Sequence, residues 1–407
     1  MYRNIPKLNV HVKLIESQMG FKITRRNWLK SSAAIAAGTV LPSATWGRGL
    51  PSSIRLSGEI NPDLESYDEN AFSPEITVRL NANENAYGPA NSAKKALSSA
   101  INSSFRYPFA EVNELKNQIA SKYGLTADEV TIGGGSTEIL NMAGLAFGLQ
   151  NGAIVSAYPT FETLLRTAKR FDSEWIQVHL DKDYRHDLKA IEAAITSNTK
   201  LVYIVNPNNP TGTLVDPTEL LDFCKRVSKR VPIFIDEAYT EFLPDPDKHT
   251  VIPLVKQGYD IIVAKTFSKV YGMAGLRVGF GLAPSKRIKQ LEKYGVSLSI
   301  VSKPSVAAAS ACFNDIEFIS LSKTKNRESR DLTYELLQEA GYDNYIPSHA
   351  SFIMFPIKMN GDKFLSKMRE NGIGVRAWHF YDQHWCRVSL GVPDDMKSFG
   401  KVLKQIS

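Results

Sequence analysis

The chain has 407 residues, 43% of them hydrophobic and 22% charged, a composition that excludes intrinsic disorder and allows one large α/β domain with a smaller companion. Its net charge of +7 sits at one end: residues 1–48 carry eight Lys and Arg against one acid, Glu16, and the remaining chain is neutral. A neutral body offers no electrostatic footprint for nucleic acid, so no such partner is expected. Three widely spaced cysteines, Cys224, Cys312 and Cys386, form neither a CxxC nor a zinc pattern; they read as small buried apolar residues, and no metal is expected.

In chain order, Thr24-Arg25-Arg26-Asn27-Trp28-Leu29-Lys30 followed by the alanine-rich run Ser31 to Pro42 resembles a twin-arginine export signal. The apolar run is shorter than the ~20 residues that span a bilayer, so no stable membrane anchor is expected. Residues 1–47 are read as the signal, with Met19 an alternative start. The mature protein is then expected in the periplasm, and in the cytoplasm if the segment is not a signal. Residues 48–75, polar and holding Pro51, Pro62 and Pro74, read as linker and arm.

From there strand-like and helix-like patterns alternate. Helices are predicted over Glu111–Tyr123, Ser136–Gly148 and Pro217–Val227. Strands are predicted at Val130–Ile132, Ala153–Ser156, Leu201–Val205, Pro232–Asp236 and Asp260–Ala264, the last three wholly apolar apart from the closing Asp236 and the opening Asp260. This alternation predicts an α/β fold, a mostly parallel mixed sheet covered by helices. After about residue 320 come a long helix, a strand at Ser351–Phe355, a helix from Gly361 and a strand at Cys386–Leu390, the texture of a smaller α+β domain. The expected division is 76–100 as an arm contributing to the small domain, 101–318 as the large domain and 319–407 as the small one.

Four features fall at predicted strand ends, where open α/β sheets place ligands. Gly133-Gly134-Gly135-Ser136-Thr137-Glu138 joins a strand to a helix whose free N–H groups suit a phosphate. Asn206-Pro207-Asn208-Asn209-Pro210-Thr211-Gly212 is a constrained turn that aims the Asn209 amide. Asp236-Glu237-Ala238-Tyr239 ends an apolar strand with an acid that needs a cationic partner, such as a protonated pyridine nitrogen. The segment Lys265 to Gly279 holds Ser268-Lys269 and, eight residues on, Arg277. A lysine there, partly desolvated, can attack an aldehyde, while Thr266, Ser268 and Arg277 can grip a phosphate.

With Leu80–Pro89, Arg106-Tyr107-Pro108 and Arg387-Val388-Ser389-Leu390-Gly391, these strings resemble the fold-type I class I/II aminotransferases, which use pyridoxal phosphate (PLP). The similarity is strongest to histidinol-phosphate aminotransferases and covers residues 76–407. It implies that Lys269 is the Schiff-base lysine and proton shuttle and that Asp236 pairs the pyridine nitrogen. Asn209 and Tyr239 would bond the phenolic oxygen, and Tyr158 would stack on the ring. Ser136, Thr137, Thr266, Ser268 and Arg277 would hold the phosphate, and Tyr107 would reach a neighbouring subunit's cofactor in a homodimer. Arg387 would clamp the substrate carboxylate, Tyr87 would line the substrate site, and Arg376 would help bind the substrate's anionic end. The implied reaction is a ping-pong transfer of an amino group between an amino acid, or a histidinol phosphate-like amine, and a 2-oxo acid.

The chain departs from the family pattern in two places. Phe109 follows Arg-Tyr-Pro where an acid is usual. Residues 377–385, Ala-Trp-His-Phe-Tyr-Asp-Gln-His-Trp, are unusually aromatic, which reads either as a packed strand-to-loop segment or as an altered pocket for an aromatic side chain. A PLP decarboxylase or lyase on the same fold shares every cofactor residue and is the rival reading.

Overall fold

The computed structural model describes residues 75–295 and 300–407; the twin-arginine-like segment and nearly all of the 48–75 linker lie outside them. A short strand, β1 (Val78–Arg79), opens the described region and leads through an arm to helices α1 (Asn91–Ala100) and α2 (Phe109–Tyr123). Strands and helices then alternate: β2 (Val130–Gly133), α3 (Ser136–Gly148), β3 (Ala153–Tyr158), α4 (Thr163–Lys169), β4 (Glu174–His179), α5 (Leu188–Ala193), β5 (Thr199–Val205), α6 (Pro217–Val227), β6 (Ile233–Asp236), α7 (Ile252–Lys256) and β7 (Ile261–Thr266). β8 (Gly279–Leu282) and α8 (Ser285–Glu292) complete this part.

Seven of these strands form one sheet in the order β2-β8-β7-β6-β5-β3-β4, parallel except for β8, which runs against both neighbours. Alternation along the buried strands divides the core. Val202, Ile204, Ile233, Ile235, Ile261 and Val263 pack on one face. Leu201, Tyr203, Val205, Phe234, Ile262 and Ala264 pack on the other. Each large aliphatic side chain so buried contributes about 1.5–3 kcal/mol, which is why these strands read as continuous apolar runs. Two strands went unpredicted for the converse reason. β4 is an edge strand whose side chains are mostly partly or fully exposed, and two of the four residues of β8 are glycine.

The remainder begins with α9 (Lys303–Cys312) and α10 (Ile316–Glu339), a helix of 24 residues. After it come β9 (Phe352–Pro356), α11 (Gly361–Glu370), β10 (Ile373–Gly374), β11 (Arg376–Phe380), β12 (Gln383–Ser389) and α12 (Pro393–Ile406). β9, β12 and β11 make an antiparallel sheet, and β10 pairs in parallel with β1, tying the arm to the C-terminal part. The segment 377–385 is therefore mostly strand, folded into a tight hairpin. No helix of the described residues is long and apolar enough to cross a membrane. All three cysteines are free and buried, as apolar residues would be.

Candidate active site

Strands β2, β5, β6 and β7 point their carboxyl ends the same way, and the four motifs meet there. At the end of β2, Gly135 takes φ +81°, and a Cβ on it would lie 2.4 Å from Arg277 Nη2. Glycine at this point therefore admits the guanidinium to the first turn of α3. Gly279 does the same for β8, since a Cβ there would lie 2.3 Å from the Ser136 nitrogen. Arg277 donates from Nη1 to Ser268 Oγ and from Nη2 to Thr137 Oγ1, each at 3.3 Å. Thr266 Oγ1 donates to Ser268 Oγ at 3.0 Å and accepts from the Ser268 N–H at 3.1 Å. One guanidinium, three hydroxyls and the N-terminus of a 13-residue helix thus converge, a donor set matched to a phosphate dianion.

Asp236 closes β6 and is 2% exposed. Its Oδ1 accepts the Ala238 N–H at 3.0 Å. Burial pushes its carboxyl up to about 6, with the Ala238 hydrogen bond and the charge of Lys269 pulling the other way. Among the described residues no cation is bonded to this carboxylate, so it suits a cationic ring nitrogen arriving from the cleft. Lys269 Nζ donates to the Asn83 carbonyl at 3.1 Å and lies 5.6 Å from the Tyr239 ring centroid. Asp236, Lys269 and the phosphate cradle together fit PLP: an acid for its nitrogen, an amine for its aldehyde and donors for its phosphate.

Asn209 and Arg387 meet directly, Arg387 Nη1 donating to Asn209 Oδ1 at 2.5 Å. Arg387 Nη2 donates to the Asn81 carbonyl, and its guanidinium lies 5.2 Å from the Phe352 ring centroid and 4.7 Å from that of Trp378. Stacking of this kind holds the planar fork in one orientation. Arg376 is the cross-strand partner of Arg387 on β11. Tyr158 ends β3, its ring edge-on to Trp175.

Two expected residues stand apart. Tyr107 is 75% exposed, beside Phe105 and Phe109, which are 77% and 56% exposed. Tyr87 sits on the arm near Lys325 and Glu328 of α10, and burial raises its hydroxyl pKa. Among the described residues no group of His, Cys, Asp and Glu could hold a metal.

Several residues that shape the site were not predicted. Asn208 is fully buried and bolts the Asn206–Gly212 turn to the loop after β3: its Nδ2 donates to the Pro159 carbonyl and Thr211 Oγ1, and Thr160 donates to its Oδ1. Asn83, Ser389 and Tyr381 also escaped. The first two lie inside the matching strings Leu80–Pro89 and Arg387–Gly391, which was the available signal; Tyr381 lies where the chain departs from the pattern, and only tertiary contacts reveal it.

Residues 75–399 match the family model "Aminotransferase class I and II". The histidinol-phosphate aminotransferase of Brevibacillus brevis is 34% identical over 330 residues, 81% of this chain and 90% of its own. A candidate histidinol-phosphate aminotransferase from Erwinia carotovora atroseptica superposes with a TM-score of 0.76 at 28% identity, covering 80% of this chain and 95% of that one. The Sinorhizobium meliloti histidinol-phosphate aminotransferase, solved with pyridoxal-5'-phosphate, gives 0.74 at 23% identity over 82% and 92%. The chain accordingly belongs to the class I and II aminotransferases, PLP-dependent transaminases of fold type I.

Proposed function

We propose that this enzyme moves an amino group, in two half-reactions, between an amine donor bearing an anionic group and a 2-oxo acid, with Lys269 as its catalytic base. The observation that carries this reading is the convergence of Lys269, buried Asp236 and the Arg277 cradle at one edge of the sheet. When bound, PLP supplies an electron sink for the substrate's α-carbon. The protein supplies the rest. Asp236, held without a bonded cation in an apolar strand end, keeps a proton on the ring nitrogen. Lys269 carries the α-proton from one carbon to the other. Arg387, fixed between Phe352 and Trp378, orients the substrate through its carboxylate.

The neighbouring Arg376 supports a substrate that ends in a strongly anionic group. Cross-strand register puts the Arg376 and Arg387 side chains on one face of the hairpin, and two guanidinium groups suit a doubly charged phosphate ester such as that of histidinol phosphate. The exposed aromatics Phe105, Tyr107 and Phe109 support a homodimer in which Tyr107 faces the other subunit's cofactor. The Arg25-Arg26 segment supports export of the folded, loaded enzyme to the periplasm. The test is a single-turnover screen of the PLP-loaded protein against histidinol phosphate and the common amino acids, followed by absorbance. Conversion of the cofactor to its amine form by histidinol phosphate or another amine bearing an anionic group supports the reading. Release of carbon dioxide in place of a keto product would move the enzyme to the decarboxylases.

A further inference from the structure

We infer that Asn83 is a positioning residue that fixes the proton of the Tyr239 hydroxyl so that it points into the cofactor cleft. The inference rests on the proposed placement of PLP between Lys269 and Asp236, and goes beyond it by assigning work to a residue of the N-terminal arm.

The geometry determines each proton in turn. Asn83 lies in the left-handed region at φ +53°, a conformation that asparagine tolerates better than most residues. It is 2% exposed. Its backbone N–H donates to Ser389 Oγ at 2.8 Å, and Ser389 Oγ donates to Asn83 Oδ1 at 2.9 Å. The serine hydroxyl has one proton, and the side-chain carbonyl of Asn83 takes it. That contact fixes which end of the amide is oxygen. The other end, Nδ2, therefore faces Tyr239 and donates to its Oη at 3.1 Å. A phenol oxygen that accepts there must aim its own proton elsewhere. The ring cannot swing to compensate, because it packs edge-on against Phe352 with centroids 5.2 Å apart. The Asn83 carbonyl meanwhile receives Lys269 Nζ, so one arm residue touches both groups that flank the reactive end of the cofactor.

A hydroxyl that donates to the cofactor's phenolic oxygen stabilises negative charge there. It lowers the pH at which the resting, lysine-linked enzyme gives up its proton. Without Asn83 the Tyr239 hydroxyl is free to rotate, and that pH midpoint rises. One such hydrogen bond corresponds to about one pH unit at most. The charged groups around this point, Asp236, Lys269, Arg277 and Arg387, and the nearby Tyr203 hydroxyl, are the same in every variant compared below.

The test is a pH titration of the visible band of the PLP-loaded resting enzyme, with no turnover involved. Asn83→Gly keeps the left-handed backbone and both main-chain contacts while removing the amide. Its midpoint should rise by about half to one pH unit. In a Tyr239→Phe background, which has no proton to orient, the same change should add nothing, whereas a merely structural role would add its own shift in both backgrounds. An unmoved midpoint in Asn83→Gly, or equal shifts in both backgrounds, overturns the inference. Should Asn83→Gly not fold, Ser389→Ala removes the hydroxyl that orients the amide and is read through the same two backgrounds. A missing visible band in the parent enzyme would instead contradict the placement of PLP on Lys269.

Discussion

The carboxyl edge of the seven-stranded sheet and the β11–β12 hairpin meet at the Arg387–Asn209 hydrogen bond, yet they are held in place differently. At the sheet edge, Asp236 and Thr266 close buried strands, and Asn209, Ser268 and Lys269 follow within a few residues. Their positions follow from local main-chain geometry and from the close approach that Gly135 and Gly279 allow. The hairpin depends on contacts across the molecule. Tyr381 Oη donates to the Tyr158 carbonyl at 2.5 Å and accepts from the Leu180 N–H at 3.0 Å, fastening the hairpin tip to the ends of β3 and β4. Tyr381 and Asp382 both sit at positive φ, 50° and 55°, in a two-residue turn that favours Asn-Gly. Two left-handed residues without glycine cost roughly 1 kcal/mol each, which those hydrogen bonds offset. Chemistry set by short-range geometry and substrate placement set by long-range packing should therefore separate under mutation.

The largest effect belongs to the sheet edge. Lys269→Ala should lower turnover by more than about 10⁴-fold, since it removes the base and the covalent attachment together. Steady-state assays that retain a tenth of the activity would break the comparison. On the hairpin side, Arg387→Ala should cut kcat/KM for a 2-oxo acid about 100-fold while leaving the cofactor attached to Lys269. Arg387→Lys should recover little of it, because an ammonium cannot replace a stacked, bidentate fork.

Asp236 gives a sharper contrast, because its cost shows in stability. Burial raises its carboxyl to about 6 from the ordinary 3.8, so between these values the cofactor-free protein binds a proton there that the unfolded chain has lost. Stability from this group is therefore present at low pH and is lost as pH rises from about 4 to 6. Cofactor-free Asp236→Asn should be more stable than the parent at pH 7, by about 1–3 kcal/mol. The gap should close below about pH 4, and PLP should stabilise the variant less than the parent. Thermal melts at several pH values, with and without PLP, measure this. The smallest effect is at the hairpin tip. Tyr381→Phe should cost about 1 kcal/mol in urea unfolding and raise KM a few-fold with kcat little changed.

The same contrast explains how much could be read without coordinates. The buried strands β5, β6 and β7 announce themselves as apolar runs, and the residues after them follow by adjacency. The hydrogen-bond chain from Ser389 through Asn83 to Tyr239 joins positions 306 and 156 residues apart, a separation that no local pattern reports. β4 and β8 lack a periodic apolar signal because one is an exposed edge and the other is half glycine. The aromatic stretch 377–385 was visible as unusual. Only the pairing of Trp378 with Trp385 and the stacking of Trp378 on Arg387 give it a place beside that guanidinium.

Borohydride reduction of the PLP-supplied protein, followed by peptide mapping, addresses the account most directly. A pyridoxyl group fixed to Lys269, in wild type and lost in Lys269→Ala, is the predicted result. Label on another lysine, or none on the protein, would contradict it.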